Sequence, residues 1–165
     1  YPLRRQRQMC IRDSGDVGGL RTVNKKEATL RPCTPAQLKE YYEKEAELTD
    51  TVKRMYSDYY GKERFDKIME IMKRLHYRFF CDVGCGSGAY LINDGVGVDL
   101  TIGYLHQAQT YAHTKHLTVN VIQADASKLP FRSNSVDFIL CSQVLEHVIN
   151  WQVVLNELIT SRYHF

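Results

Sequence analysis

The chain has 165 residues, 44% of them hydrophobic and 25% charged, which suits one globular domain with a sizeable core. No apolar run approaches the roughly 18 residues of a membrane span, no secretory leader is visible, and five irregularly spaced cysteines suit reduced thiols in the cytoplasm. The net charge of +3 belongs to the N-terminus: residues 1–31 hold eight Lys/Arg and three Asp/Glu, and the remainder holds 14 against 16, which excludes a nucleic-acid patch on the globular part.

Residues 1–33 read as a disordered basic lead-in, and residues 1–14, with their Arg-Arg-Gln-Arg run, resemble translated sequencing linker. Thr34-Pro35-Ala36-Gln37 then opens a helix as a capping box. Leu38, Tyr41, Leu48, Val52 and Met55 recur at helical spacing as its apolar stripe. Gly61 punctuates, and Phe65, Ile68, Met69, Met72 and Leu75 mark a second amphipathic helix. The intervening stretch is rich in tyrosine, and Tyr59 and Tyr60 read first as core.

The organising stretch is Phe79 to Gly88, Phe-Phe-Cys-Asp-Val-Gly-Cys-Gly-Ser-Gly. A short apolar run closed by alternating glycines predicts a buried strand feeding a tight, ligand-facing turn. Gly84, Gly86 and Gly88 let a ligand lie against the backbone, and Ala89 to Ile92 read as a helix start with free N–H groups facing the same space. Two ligands compete. Gly84-x-Gly86-x-x-Ala89 with Asp99 after the next apolar run fits a dinucleotide fingerprint. Asp82 favours instead a cofactor carrying an ammonium and a sulfonium, because a carboxylate at the strand tip repels a pyrophosphate.

Val96 to Asp99 is the second strand, and a carboxylate at its tip suits the two hydroxyls of a ribose. Ile102, Leu105, Ala108 and Ala112 give the next helix its buried face. Val119 to Ile122 is a third strand leading to Asp125, and Val136 to Cys141 is a fourth. Asp82, Asp99 and Asp125 thus close three successive strands, along the edge where open parallel sheets bind ligands. Ser142 to Val148 reads as a helix start, and Asn150 caps a final helix carrying Trp151, Val154, Leu155, Leu158 and Ile159. The six histidines show no metal-ligand pattern.

Cys81 to Leu158 resembles the class I S-adenosylmethionine-dependent methyltransferases, in their small-molecule and lipid branch. The likeness rests on Asp82-Val-Gly-Cys-Gly-Ser-Gly88, on Ala124-Asp125-Ala126 with Leu129-Pro130-Phe131, and on Val144-Leu-Glu-His-Val148. The resemblance implies an α/β, doubly wound Rossmann-like, mostly parallel sheet in order 3-2-1-4. It divides the chain into a helical cap over 34–76 and a partial S-adenosylmethionine-binding domain over 77–165. By the same resemblance Asp82 holds the methionyl ammonium through water, and Gly84, Cys85, Gly86 and Gly88 line the cofactor with backbone. Asp99 takes the ribose, Leu100 lies against the adenine, Asp125 and Ala126 read its edge, and Cys141 and Ser142 border the methyl.

The implied acceptor is a small molecule or lipid. No catalytic residue is assigned, because displacement at an activated sulfonium relies on positioning, and Glu146 and His147 read as packing or capping residues. The family's last three strands do not follow Phe165, so the chain reads as a fragment with an exposed sheet edge, expected to bind cofactor weakly or to aggregate. Two rivals remain open: an NAD-type oxidoreductase, and a cofactor-binding remnant without activity.

Overall fold

The computed structural model describes residues 34–48, 52–53 and 59–162, apart from the side chains of Tyr59 and Tyr60. The lead-in, Met55 and the proposed roles of those two tyrosines fall outside what is described. The element order is α1 (Pro35–Leu48), α2 (Tyr59–Arg74), β1 (Phe80–Val83), β2 (Gly95–Asp99), α3 (Ile102–Thr114), β3 (Val119–Gln123), β4 (Phe138–Cys141) and α4 (Trp151–Ser161).

The four strands form one parallel sheet in the order β3-β2-β1-β4, as the sequence predicts. The two central strands are almost fully buried, in keeping with a parallel sheet covered on both faces. Alternation sorts their side chains. Cys81, Val83, Val96 and Val98 face one core with Leu129 and Val136, against which Leu158 of α4 packs. The opposite face holds Phe80 and Asp82 of β1 and the glycines of β2, beneath a second cluster of Cys85, Leu91, Leu105 and Ala108. Gly97 is needed there: a Cβ would stand 2.8 Å from Cys85 Sγ, so its absence lets the loop after β1 lie on the sheet.

No helix forms over Ala89–Ile92, contrary to the sequence reading. The link to β2 is a series of tight turns, with Gly88 N–H donating to the Cys85 carbonyl at 2.9 Å and Leu91 N–H to that of Gly88 at 3.1 Å. Positive φ at Gly88 (86°) and Asp94 (61°) interrupts any helix in so short a segment. Tyr90 and Leu91 anchor it instead, Tyr90 by stacking on Phe65 of α2 at 5.4 Å between ring centroids.

The helices before the sheet pack onto its C-terminal side. The capping box forms as read, with Thr34 N–H donating to Gln37 Oε1 at 2.9 Å and Gln37 N–H to Thr34 Oγ1 at 3.3 Å. Further along α1, Glu43 accepts the free N–H groups of Ile102 and Gly103 at the start of α3, at 3.1 and 3.3 Å. Several expected positions differ. Leu48 is 88% exposed, Leu75 lies beyond the end of α2, and Gly61 is a buried residue inside α2 and no break.

Residues 142–149 also form turns and no helix, so Glu146 and His147 sit on a loop. In α4, Asn150 caps as predicted, accepting from Val153 N–H at 3.4 Å. That bond is long, so Asn150→Ala is expected to cost about 0.5–1 kcal/mol in a urea melt. Trp151, Leu155 and Ile159 recur at one-turn spacing but point to solvent, and β4 is only half-buried, with its outer strand edge unpaired among the described residues save for a Val136–Arg162 bridge.

Candidate functional site

The loop after β1 is held down by β2. The Val98 carbonyl accepts from Gly84 N–H (2.7 Å) and Cys85 N–H (3.1 Å), and Asp99 Oδ2 accepts from Gly86 N–H (2.9 Å). With Gly88 N–H turned to Cys85, residues 84, 85, 86 and 88 offer a ligand bare Cα atoms and no free N–H donor. A pyrophosphate needs such donors. Gly84 is the tightest point: its φ is +73°, and a Cβ there would fall 2.2 Å from Val144 Cγ2 in the turn after β4. Ser87 ties the loop outward, donating to Gln107 Oε1 of α3 at 2.5 Å, while Gln107 Nε2 donates to the Ala46 carbonyl of α1 at 2.7 Å.

The three acids gather at one edge of the sheet at different depths. Asp82 is the penultimate residue of β1, 1% exposed, and its Oδ2 has no hydrogen-bond partner among the described residues. Burial, and then the neighbouring charge of Asp99, push its carboxyl up to about 8. Asp99 ends β2 with Oδ1 accepting from Thr101 N–H (2.9 Å) and Oδ2 from Gly86; burial raises its pKa while these N–H groups hold it down. Each oxygen keeps a lone pair for a ligand. Asp125 lies beyond β3, exposed, with Oδ1 accepting from Ser127 N–H at 2.8 Å.

A cavity of about 1080 Å³ opens over this edge. Gly84, Cys85, Gly86, Asp99, Leu100, Asp125, Ala126 and Ser142 all line it. Three predicted residues do not. Asp82 lies beneath the loop, Gly88 is packed on Ala108, and Cys141 turns into the core, because alternation along β4 puts it on the face of Ile139. Burial raises the thiols of Cys81 to about 12 and Cys141 to about 11, and that of Cys85 well above its usual range, so none is a ready thiolate.

Sequence reasoning missed the opposite wall. Tyr42 of α1, Arg64 of α2, Tyr104 of α3 and His147 also line the cavity. The Tyr42 ring meets His147 edge-on at 5.9 Å, and burial holds its hydroxyl protonated far above the usual tyrosine range. The tyrosine-rich composition of α1 was the available signal; which tyrosines turn inward depends on how α1 seats on α3.

Residues 81–160 match the family described as "Methyltransferase domain". The chain is 29% identical over 126 residues to Methanocaldococcus jannaschii protein MJ0638, covering 74% of this chain and 54% of that one. Its fold is shared with a Bacillus subtilis protein, YcgJ (TM-score 0.56, 22% identity, 62% of this chain and 47% of that). The same holds for an S-adenosylmethionine-dependent methyltransferase from Aquifex aeolicus (TM-score 0.53, 22% identity, 60% and 58%). The [4+2]-cyclase SpnF is as similar (TM-score 0.57, 21% identity, 62% and 41%), so the sheet alone does not fix a reaction. The chain spans about half the length of the relatives it matches.

The residues around this cavity fit S-adenosylmethionine. An unpartnered buried carboxylate below the loop suits an ammonium, the Cβ-free loop suits a close-lying chain, and the cavity exceeds the few hundred Å³ of a drug-sized ligand.

Proposed function

We propose that the protein transfers a methyl group from S-adenosylmethionine to a small-molecule or lipid acceptor. S-adenosylmethionine supplies an electrophilic methyl on a sulfonium, so the chain's part is to bind, orient and exclude water. Asp99 holds the ribose with its remaining lone pairs, and Leu100 and Ala126 flank the adenine, with Asp125 at its edge. Asp82 meets the methionyl ammonium through a water, since it stands just behind the loop. Gly84, Cys85 and Gly86 give the arm its floor, with Gly88 setting the turn, and Ser142 borders the methyl, with Cys141 shaping the strand end behind it. The helices of residues 34–76 act as a cap over a binding domain in 77–165. The buried, protonated thiols suit a reducing compartment, the cytoplasm.

One observation carries this reading over a dinucleotide-dependent redox enzyme. The loop's N–H groups at 84, 85, 86 and 88 are already bonded and a buried carboxyl lies under them, so a pyrophosphate would find those four donors taken, while an ammonium would find an acceptor. In thermal melts, S-adenosylhomocysteine at about 100 times its Kd is expected to stabilise the protein by about 2.7 kcal/mol, while NADH leaves the melt unchanged. Stabilisation by NADH alone would reverse the assignment.

A further inference from the structure

Half of a zwitterion is still unprovided for. Asp82 answers the ammonium of the cofactor's amino-acid arm, but none of the residues assigned from the sequence answers its carboxylate. The cavity wall beneath the two N-terminal helices holds the missing chemistry. Among the described residues that line the cavity, Arg64 is the sole permanent cation, set against Glu45, Asp99 and Asp125. Its Nε is buried and has no hydrogen-bond partner. A guanidinium N–H buried without an acceptor is costly, so one on a cavity wall marks a place for an anionic ligand.

A second donor stands in the same state on the neighbouring element. Tyr90 Oη is buried and without a partner, and Tyr90 also lines the cavity. The two are tied together by packing, because Phe65, next to Arg64 on α2, stacks on the Tyr90 ring. Tyr90 follows directly on the loop that floors the proposed arm. A planar guanidinium and a phenol hydroxyl are both donors, and a carboxylate accepts from both. Neutral or cationic ligands would leave the guanidinium uncompensated.

We propose that Arg64 and Tyr90 form a carboxylate-binding site, and that its ligand is the carboxylate of the cofactor's amino-acid arm. This rests on the methyl-donor reading. It also explains what α2 contributes, since the helix completes a cofactor site that the strand ends alone leave open.

The test compares two nucleosides by titration calorimetry. S-adenosylhomocysteine carries the amino-acid arm, and 5′-methylthioadenosine keeps the adenosine and sulfur but lacks it. Arg64→Gln is expected to weaken S-adenosylhomocysteine about tenfold or more and to leave methylthioadenosine within about twofold. Tyr90→Phe, which keeps the ring on Phe65, is expected to lose about threefold to tenfold for the first ligand only. Unchanged methylthioadenosine binding shows at the same time that each variant is folded. The other source of a carboxylate is the acceptor, probed with benzoate on the protein saturated with S-adenosylhomocysteine. Should Arg64→Gln keep its nucleoside affinities and lose benzoate, the site stands and its ligand is an acidic acceptor. Equal losses for both nucleosides, or no loss for any of the three probes, overturn the site. If the unaltered protein binds neither nucleoside, the methyl-donor reading itself fails.

Discussion

Gly84→Ala is expected to destabilise the protein by about 2–4 kcal/mol and to abolish binding of S-adenosylhomocysteine. Two separate costs meet at this position. A left-handed backbone at φ +73° costs an L-residue about 1–2 kcal/mol. The new methyl would also fall 2.2 Å from Val144 Cγ2, a distance no side-chain relaxation of a β-branched residue easily absorbs, and overpacking of this kind costs about 1–3 kcal/mol. Val144 has little room to retreat, since its carbonyl accepts from His147 N–H at 2.8 Å and the turn borders the cavity. Urea denaturation of a double-mutant cycle separates the two. In a Val144→Ala background the clash disappears and the backbone strain remains, so Gly84→Ala should then cost only about 1–2 kcal/mol. A cost independent of residue 144 would mean that the loop and the turn after β4 do not press on one another.

The parallel sheet and the glycine loop were legible because both are local in origin. Phe80–Val83 and Gly95–Asp99 are short apolar runs closed by an acid or glycines, and in a parallel sheet that pattern has few other outcomes. What failed was also local in form but tertiary in cause. Ala89–Ile92 and Ser142–Val148 carry good helix formers, yet the first must bury Tyr90 and Leu91 within a link of eleven residues between β1 and β2. The second must hold Val144 against Gly84. Tight packing against a neighbour outweighed propensity in both. Periodicity placed Val154 and Leu158 in the core correctly and misplaced Trp151, Leu155 and Ile159, because an apolar helix does not announce which side will find a partner. The depth of Asp82 and the inward turn of Cys141 follow from strand alternation, once the strand limits are known. The Arg64 wall had no sequence signal, since a lone arginine in an amphipathic helix looks like any solvated charge.

Asp82→Asn is expected to raise the stability of the ligand-free protein at pH 8 while weakening S-adenosylhomocysteine about tenfold or more. The Asp82 carboxyl titrates at about 8 in the folded chain, chiefly through burial, against about 3.9 for an ordinary aspartate. Between those values the folded protein holds a proton that the unfolded chain has lost, so the stability from this group is present below about pH 4 and drains away as pH rises toward 8. The slope approaches about 1.4 kcal/mol per pH unit within the window, and the total is on the order of a few kcal/mol. Asparagine cannot ionise, so the variant should lack this slope and cross above the parent protein near neutral pH. Ligand binding reverses the sign, because an ammonium favours the ionised carboxylate. The parent should therefore release close to one proton on taking up S-adenosylhomocysteine at pH 6–7, read by calorimetry in buffers of different ionisation enthalpy, and the variant none. Identical pH–stability curves for the two proteins would show that this carboxylate is ionised in the folded state after all. The ammonium would then gain nothing from an acid held in reserve beneath the loop, and the arm's anchor would have to lie with Asp99 or with the helices opposite.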